Sequence, residues 1–227
     1  RRSISFLNMI NLFKAVIFFF FLIIINSEPF WKMAEMKVFE EIGVELKHED
    51  IEKNVGLKNT EVVNNICLQF SIQNPSQEEI CRRLEQNVVD LIYAHGEEIE
   101  GLSDLLHRIK SLGIPMAIAT SSSHKIIQAV FDKLKLDAFF TCVSSAYDEE
   151  YGKPHPAVYL TTSKKLNIDP RYCLVIEDSI NGVLAGKSAK MTVIAMPEDT
   201  NFHHPKYAIA DFRCGNFKEI RALLFEK

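Results

Sequence analysis

Several features that would steer a reading are missing from this chain. Lysine and arginine, 26 in all against 30 acidic residues, are spread along the sequence and leave a formal charge of −4. There is therefore no basic stripe to neutralise nucleic-acid phosphates, and nucleic acid is not an expected partner. No C-x-x-C pair occurs, and Cys67, Cys81, Cys142, Cys173 and Cys214 are odd in number, far apart and without a histidine at metal-ligand spacing. They read as buried thiols of a reducing compartment, so a cytoplasmic protein is expected; no base stands near any of them to make a nucleophile. Internal repeats and low-complexity linkers are absent. The longest apolar run, residues 15–25, falls short of the roughly 20 residues that a membrane-crossing helix needs.

That run follows Arg1 and Arg2 at a distance and has the length of a signal-peptide h-region, about 7–15 residues. The segment after it, Asn26, Ser27, Glu28 and Pro29, is no small-x-small cleavage site, so a secreted or membrane-anchored protein ranks last. A buried first strand is the second reading. The third is that residues up to about Asn26 are not native coding sequence, because FFFFLIIIN is what T- and A-rich DNA translates into and residue 1 is not methionine.

What is present fits a folded enzyme-sized protein, with 47% apolar and 25% charged residues over 227 positions. From Leu102 onward helical stripes alternate with short apolar runs, the pattern of a parallel sheet covered by helices. Leu102, Leu105, Leu106, Ile109 and Leu112 predict a helix stopped by Gly113, followed by a strand over residues 115–119. Ile126, Ile127, Val130, Phe131 and Leu134 predict the next helix, and residues 141–145 the next strand. Val158, Leu160 and Leu166 mark a helix after Pro156, with strands over residues 172–176 and 192–196 beyond it. Residues 30–101 are helical only, with Ile80, Leu84, Val88 and Ile92 four apart. With residues 15–19 as the first strand, residues 1–29 and 102–227 form an α/β core and residues 30–101 an inserted helical cap.

Ligands of open parallel sheets bind beyond the carboxyl ends of the strands, and three of those ends are polar here. Thr120, Ser121, Ser122 and Ser123 offer hydroxyls and amides suited to a phosphate, or a plain helix cap. Lys153, on a loop stiffened by Pro154 and Pro156, suits the charge of a phosphoryl group, the common alternative being a solvated lysine. His155, between the prolines, reads as structural. Glu177 and Asp178 follow an apolar run directly; adjacent carboxylates at the rim of a dry sheet call for a cation such as Mg²⁺, or else decorate a helix start.

The serine after one strand, Lys153-Pro-x-Pro after another and Glu177-Asp178-Ser-x-Asn-Gly after a third together resemble motifs II, III and IV of the haloacid dehalogenase superfamily. The chain looks like its branch of β-phosphoglucomutases and sugar-phosphate phosphatases, above all the bacterial hexitol phosphatases and 2-deoxyglucose-6-phosphatases. The likeness runs from about Ala15 to the end and includes SEPFW at residues 27–31 and EIEG before Leu102.

That resemblance implies a Rossmann-like core with a helical cap and Mg²⁺-dependent hydrolysis of small sugar or polyol phosphates by a monomer. It gives Ser121 and Lys153 catalytic roles, Ser122 and Lys58 substrate contacts, Asp178 direct metal ligation and Glu177 its support. It also implies an Asp-x-Asp-Gly loop after the first strand. Counting back from Ser27-Glu28-Pro29 puts Phe19 and Phe21 where those aspartates belong, Leu22 at the glycine and Asn26 at a further acid. A phenyl ring neither attacks phosphorus nor binds a metal, so hydrolysis is expected to be lost and Mg²⁺ affinity to be weakened. The competing class is a pseudophosphatase that keeps the scaffold as a binding or regulatory module.

Overall fold

Four consecutive apolar residues, Ala15–Phe18, are wholly buried and form β1. Unbroken apolarity is what a strand covered on both faces requires, and β1 lies in the middle of the sheet. The computed structural model of the chain describes residues 8–20, 23–54 and 57–226. Five further strands join β1: β2 (Met116–Thr120), β3 (Phe140–Ser145), β4 (Cys173–Glu177), β5 (Thr192–Ala195) and β6 (Phe212–Arg213). All pair in parallel, in the order β3-β2-β1-β4-β5-β6. The chain runs outward from β1 through β2 to β3 and returns to the other side of β1 at β4. The strand order therefore reverses between β1 and β4, and a crevice opens at their carboxyl ends.

Between β1 and β2 the chain leaves the sheet for α1 (Glu28–Glu41), α2 (His48–Glu52), α3 (Asn59–Phe70) and α4 (Gln77–His95), then returns through α5 (Leu102–Ser111). In α4 the four-residue stripe Ile80, Leu84, Val88 and Ile92 is fully buried, as its spacing predicts. The two connections of this insert meet in an antiparallel bridge between Ile25 and Glu98, with the Ile99 amide donating to the Ile24 carbonyl at 3.2 Å. The remaining helices are α6 (His124–Leu134), α7 (Ala157–Leu166), α8 (Ile180–Ser188) and α9 (Phe217–Phe225). Helix α4 lies along α6, where Tyr93 donates to Asp132 at 2.9 Å and Lys133 to the Tyr93 carbonyl at 2.7 Å. The result is a Rossmann-like parallel sheet flanked by helices, with a helical insert above one strand end.

Two stripes differ from the periodic reading. Leu112 and Leu160 are each 41% exposed. The inward face of α7 is instead Val158, Tyr159, Thr162 and Ser163, where the two hydroxyls donate back to the carbonyls of Val158 at 2.6 Å and Leu160 at 2.9 Å. Polar side chains satisfied on their own helix are buried without penalty, so the apolar pattern misplaced the face. Beyond residue 196, β6 and α9 complete the core through Phe217, Ile220 and Leu224. All five cysteines are free, three of them buried. Among the described residues no helix is long and apolar enough to cross a membrane.

Candidate functional site

The end of β4 carries a closed polar network. Glu177, the last strand residue, is completely buried. One of its oxygens accepts from the Tyr159 hydroxyl at 2.8 Å and from the Lys153 ammonium; the other accepts from the Ser179 amide at 2.9 Å and hydroxyl at 3.1 Å. Lys153 is itself only 5% exposed, so the loop places its charge inside the protein rather than in solvent. Burial opposes the charge on Glu177, but the Lys153 ammonium and the Ser179 amide outweigh it and hold the carboxyl below its ordinary value. A methyl group on Gly182 would fall 1.7 Å from a Glu177 oxygen, so only glycine lets α8 start over this carboxylate.

Asp178 has a different environment. Burial, then the negative charge of Glu177, pushes its carboxyl well above the usual carboxylate range. Its Oδ1 is buried without a hydrogen-bond partner, while its carbonyl accepts from the Tyr207 hydroxyl.

Beside it, the end of β1 is apolar. The Phe19 amide donates to the Ile176 carbonyl at 2.9 Å, extending the β1–β4 pairing by one step. The Phe19 ring is 7% exposed and lies under the Lys153 ammonium, 3.7 Å from ring centre to nitrogen. Phe20 is buried and stacks on Phe131 of α6. Phe21 and Leu22 fall outside the described residues.

At the end of β2, Thr120 donates to the Ser122 hydroxyl at 2.8 Å and accepts from its amide at 3.0 Å, and the Ser145 hydroxyl donates to the Ser122 carbonyl at 2.5 Å. Ser123 caps α6 and donates to Glu85 of α4, joining core and insert at the serine turn.

These three strand ends and the insert enclose a cleft of about 440 Å³. Phe19, Ser121, Ser122, Lys153 and Asp178 line its core side, and α1 with its N-cap residue contributes Ser27, Trp31 and Glu35. Four of the six residues singled out from the sequence thus share one cleft. Glu177 lies beneath its floor. Lys58 lies elsewhere: its ammonium donates to the Ala146 carbonyl at 3.1 Å and its stem crosses Gly152, tying the insert to the loop that carries Lys153.

The sequence profile of haloacid dehalogenase-like hydrolases matches residues 16–196, from within β1 to the residue after β5. The chain belongs to the haloacid dehalogenase-like hydrolase family. It is 29% identical over 201 residues to hexitol phosphatase B of Escherichia coli, covering 88% of this chain and 90% of that one. It is 29% identical over 189 residues to 6-phosphogluconate phosphatase of the same organism, covering 81% and 83%. Among solved structures it superposes on CbbY from Rhodobacter sphaeroides in complex with phosphate with a TM-score of 0.81 over 92% of this chain and 96% of that one, at 22% identity. For β-phosphoglucomutase from Clostridium difficile the TM-score is 0.78 over 94% and 98%, also at 22% identity. Identities this low show a shared fold.

Haloacid dehalogenase-like enzymes typically use Mg²⁺. The residues of this site do not fit it as a resident ion. Both Glu177 oxygens are taken by protein donors, Asp178 offers one unpartnered oxygen, and Phe19 offers none. Among the described residues no three His, Cys, Asp or Glu side chains come together as a metal site. Sequence reasoning missed Tyr159, which anchors Glu177, and Ser27 and Glu35 on the insert wall. A tyrosine three residues after Pro156 and a spacing of eight between Ser27 and Glu35 were the only signals.

Proposed function

We propose that this chain is the scaffold of a small sugar- or polyol-phosphate phosphatase and that it binds such a phosphate monoester without hydrolysing it. One observation carries the reading: a phenyl ring, that of Phe19, stands at the carboxyl end of β1 beneath the Lys153 ammonium. Ser121 and Ser122 would hold the phosphoryl oxygens at the end of β2, and Lys153 would offset their charge. The helical insert would act as a cap that excludes water. No atom of Phe19 forms a bond to phosphorus, and with phenylalanine also at position 21 the sequence supplies no acid for the leaving alkoxide, a contribution typically worth about 10²–10⁴ in rate.

The relatives support the substrate class, being phosphatases of hexitol phosphates and of 6-phosphogluconate by name. Mg²⁺ affinity should be weak, with Asp178 the one carboxylate at the β1 and β4 ends that lines the cleft. The protein would act as a cytoplasmic monomer.

A second reading rests on the large apolar residues at positions 20–25, where the family loop is small and polar: the native transcript would encode an intact Asp-x-Asp-Gly segment. The family match from Val16 and the complete burial of Ala15–Phe18 support the first strand as it stands. Full-length transcripts carrying phenylalanine codons at 19 and 21 after an upstream start remove that second reading.

The decisive assay measures phosphate release from hexitol and hexose phosphates with Mg²⁺ present. The chain as it stands should release none. The triple variant Phe19→Asp, Phe21→Asp, Leu22→Gly should turn over if only the loop is altered. Release by the unaltered chain would overturn the proposal.

A further inference from the structure

Among the described residues four buried side-chain oxygens lack a hydrogen-bond partner: those of Ser27, Glu35, Ser144 and Asp178. Three of the four line the one cleft. Buried polar atoms are almost always satisfied in folded proteins, so their concentration here points to a ligand that supplies the missing donors. Asp178 belongs to the phosphate end described above. Ser27 and Glu35 do not; Ser27 is the N-cap residue of α1 and Glu35 lies within the helix, eight residues on, with Trp31 midway. Four-residue steps keep all three on one helix face, and eight residues span about 12 Å along the axis. A face of that length exceeds what a phosphoryl group alone occupies.

Its chemistry is specific. Ser27 is completely buried and Glu35 only 7% exposed. An ionised carboxylate accepts hydrogen bonds and donates none, so its natural partner is a hydroxyl or another donor. Trp31, midway between them in the chain, also lines the cleft, and an indole ring is suited to the C–H face of a carbohydrate. Away from the phosphate end the cleft is lined by the acids Glu35, Glu85 and Glu198, Glu85 being engaged by Ser123, and by Lys206 and Lys32, the charge of Lys32 acting on Glu35.

We infer that Ser27, Trp31 and Glu35 form a specificity wall that takes the neutral polyhydroxy portion of a phosphate monoester and rejects esters bearing a second anionic group. Hydroxyls of the ligand donate to Glu35 and exchange hydrogen bonds with Ser27, while a ligand carboxylate or second phosphate would face the Glu35 charge where water is largely excluded. The inference rests on the reading of the cleft as a phosphate-ester site and names which esters it prefers.

Trp31 is the single tryptophan of the chain, so its fluorescence reports on this wall directly. The test titrates purified protein with orthophosphate, a hexitol 6-phosphate, 6-phosphogluconate and a hexose bisphosphate. It is run at pH 8.5, above the value of about 7 to which burial raises Glu35. The hexitol ester should quench or shift Trp31 and bind about tenfold more tightly than either competitor with a second anionic group; Glu35→Gln should shrink that ratio to about twofold. Ser27→Ala should weaken the hexitol ester about threefold or more with orthophosphate unchanged, which keeps the test open should Glu35→Gln fail to fold. A wild-type ratio near one, or a ratio that Glu35→Gln leaves intact, overturns the inference while orthophosphate binding still upholds the phosphate site. Absence of binding by every phosphate compound overturns both.

Discussion

β1 and β4 lie side by side, Ala15 to Phe18 paired with Cys173 to Ile176, and their carboxyl ends carry opposite chemistry. One ends in Phe19 and Phe20, the other in Glu177 and Asp178. Yet the acidic end is balanced without help from its neighbour. The Glu177 charge is matched by Lys153, and Asp178 is held toward its neutral form by burial and by Glu177. An aspartate at position 19 would add a carboxylate to that group with no further lysine to match it, and a divalent cation would then be needed. Phenylalanine at the end of β1 adds no such charge, so the acidic end stays balanced as it stands.

The contrast is broken most severely by dividing the buried pair. Lys153→Met or Glu177→Leu alone leaves one charge buried and unmatched, and each should destabilise by about 3–5 kcal/mol in urea titrations. The double variant should recover most of that loss, since no lone charge remains. Next comes the close approach of α8. Gly182→Ala forces a methyl group into the Glu177 carboxylate and should cost about 2–3 kcal/mol, with no comparable effect at Gly113, where a Cβ meets nothing within 4 Å and only the positive φ is felt.

Much of this was legible beforehand because buried parallel strands demand continuous apolar runs and covering helices demand stripes. The strands of residues 15–19, 115–119, 141–145, 172–176 and 192–196 were each displaced by only a residue or so. Glu177, read as following its strand, is the last residue of it, because a carboxylate with four protein donors sits in a dry sheet without loss. What escaped were features carried by polar residues. Glu35 resembles any solvated acid on a helix until the cleft is seen, and Lys58 resembles a substrate contact until its ammonium is found on the Ala146 carbonyl. β6 is too short to leave a run, and the Thr162 and Ser163 face of α7 has no apolar signature.

The wall across the cleft sharpens the comparison through pH. Glu35 rises from 4.5 to about 7 on folding, with burial the cause and Lys32 opposing it. The folded protein therefore holds a proton that the unfolded chain has released over that interval, and stability falls as pH rises from about 4.5 to 7. Glu35→Gln should be about 1–3 kcal/mol more stable than the parent at pH 8 and no more stable at pH 4, judged by thermal melts. The smallest effect belongs to the strut between insert and core: Lys58→Met loses one hydrogen bond to a carbonyl and should cost about 0.5–1.5 kcal/mol.

Thermal melting of the parent and of Phe19→Asp, each with and without excess Mg²⁺, tests the charge balance at the β1 and β4 ends most directly. The parent should melt at the same temperature in both conditions, and Phe19→Asp should gain about 5 °C or more with Mg²⁺ at a hundredfold above its dissociation constant. A parent protein stabilised by Mg²⁺ as strongly as the aspartate variant would contradict the account.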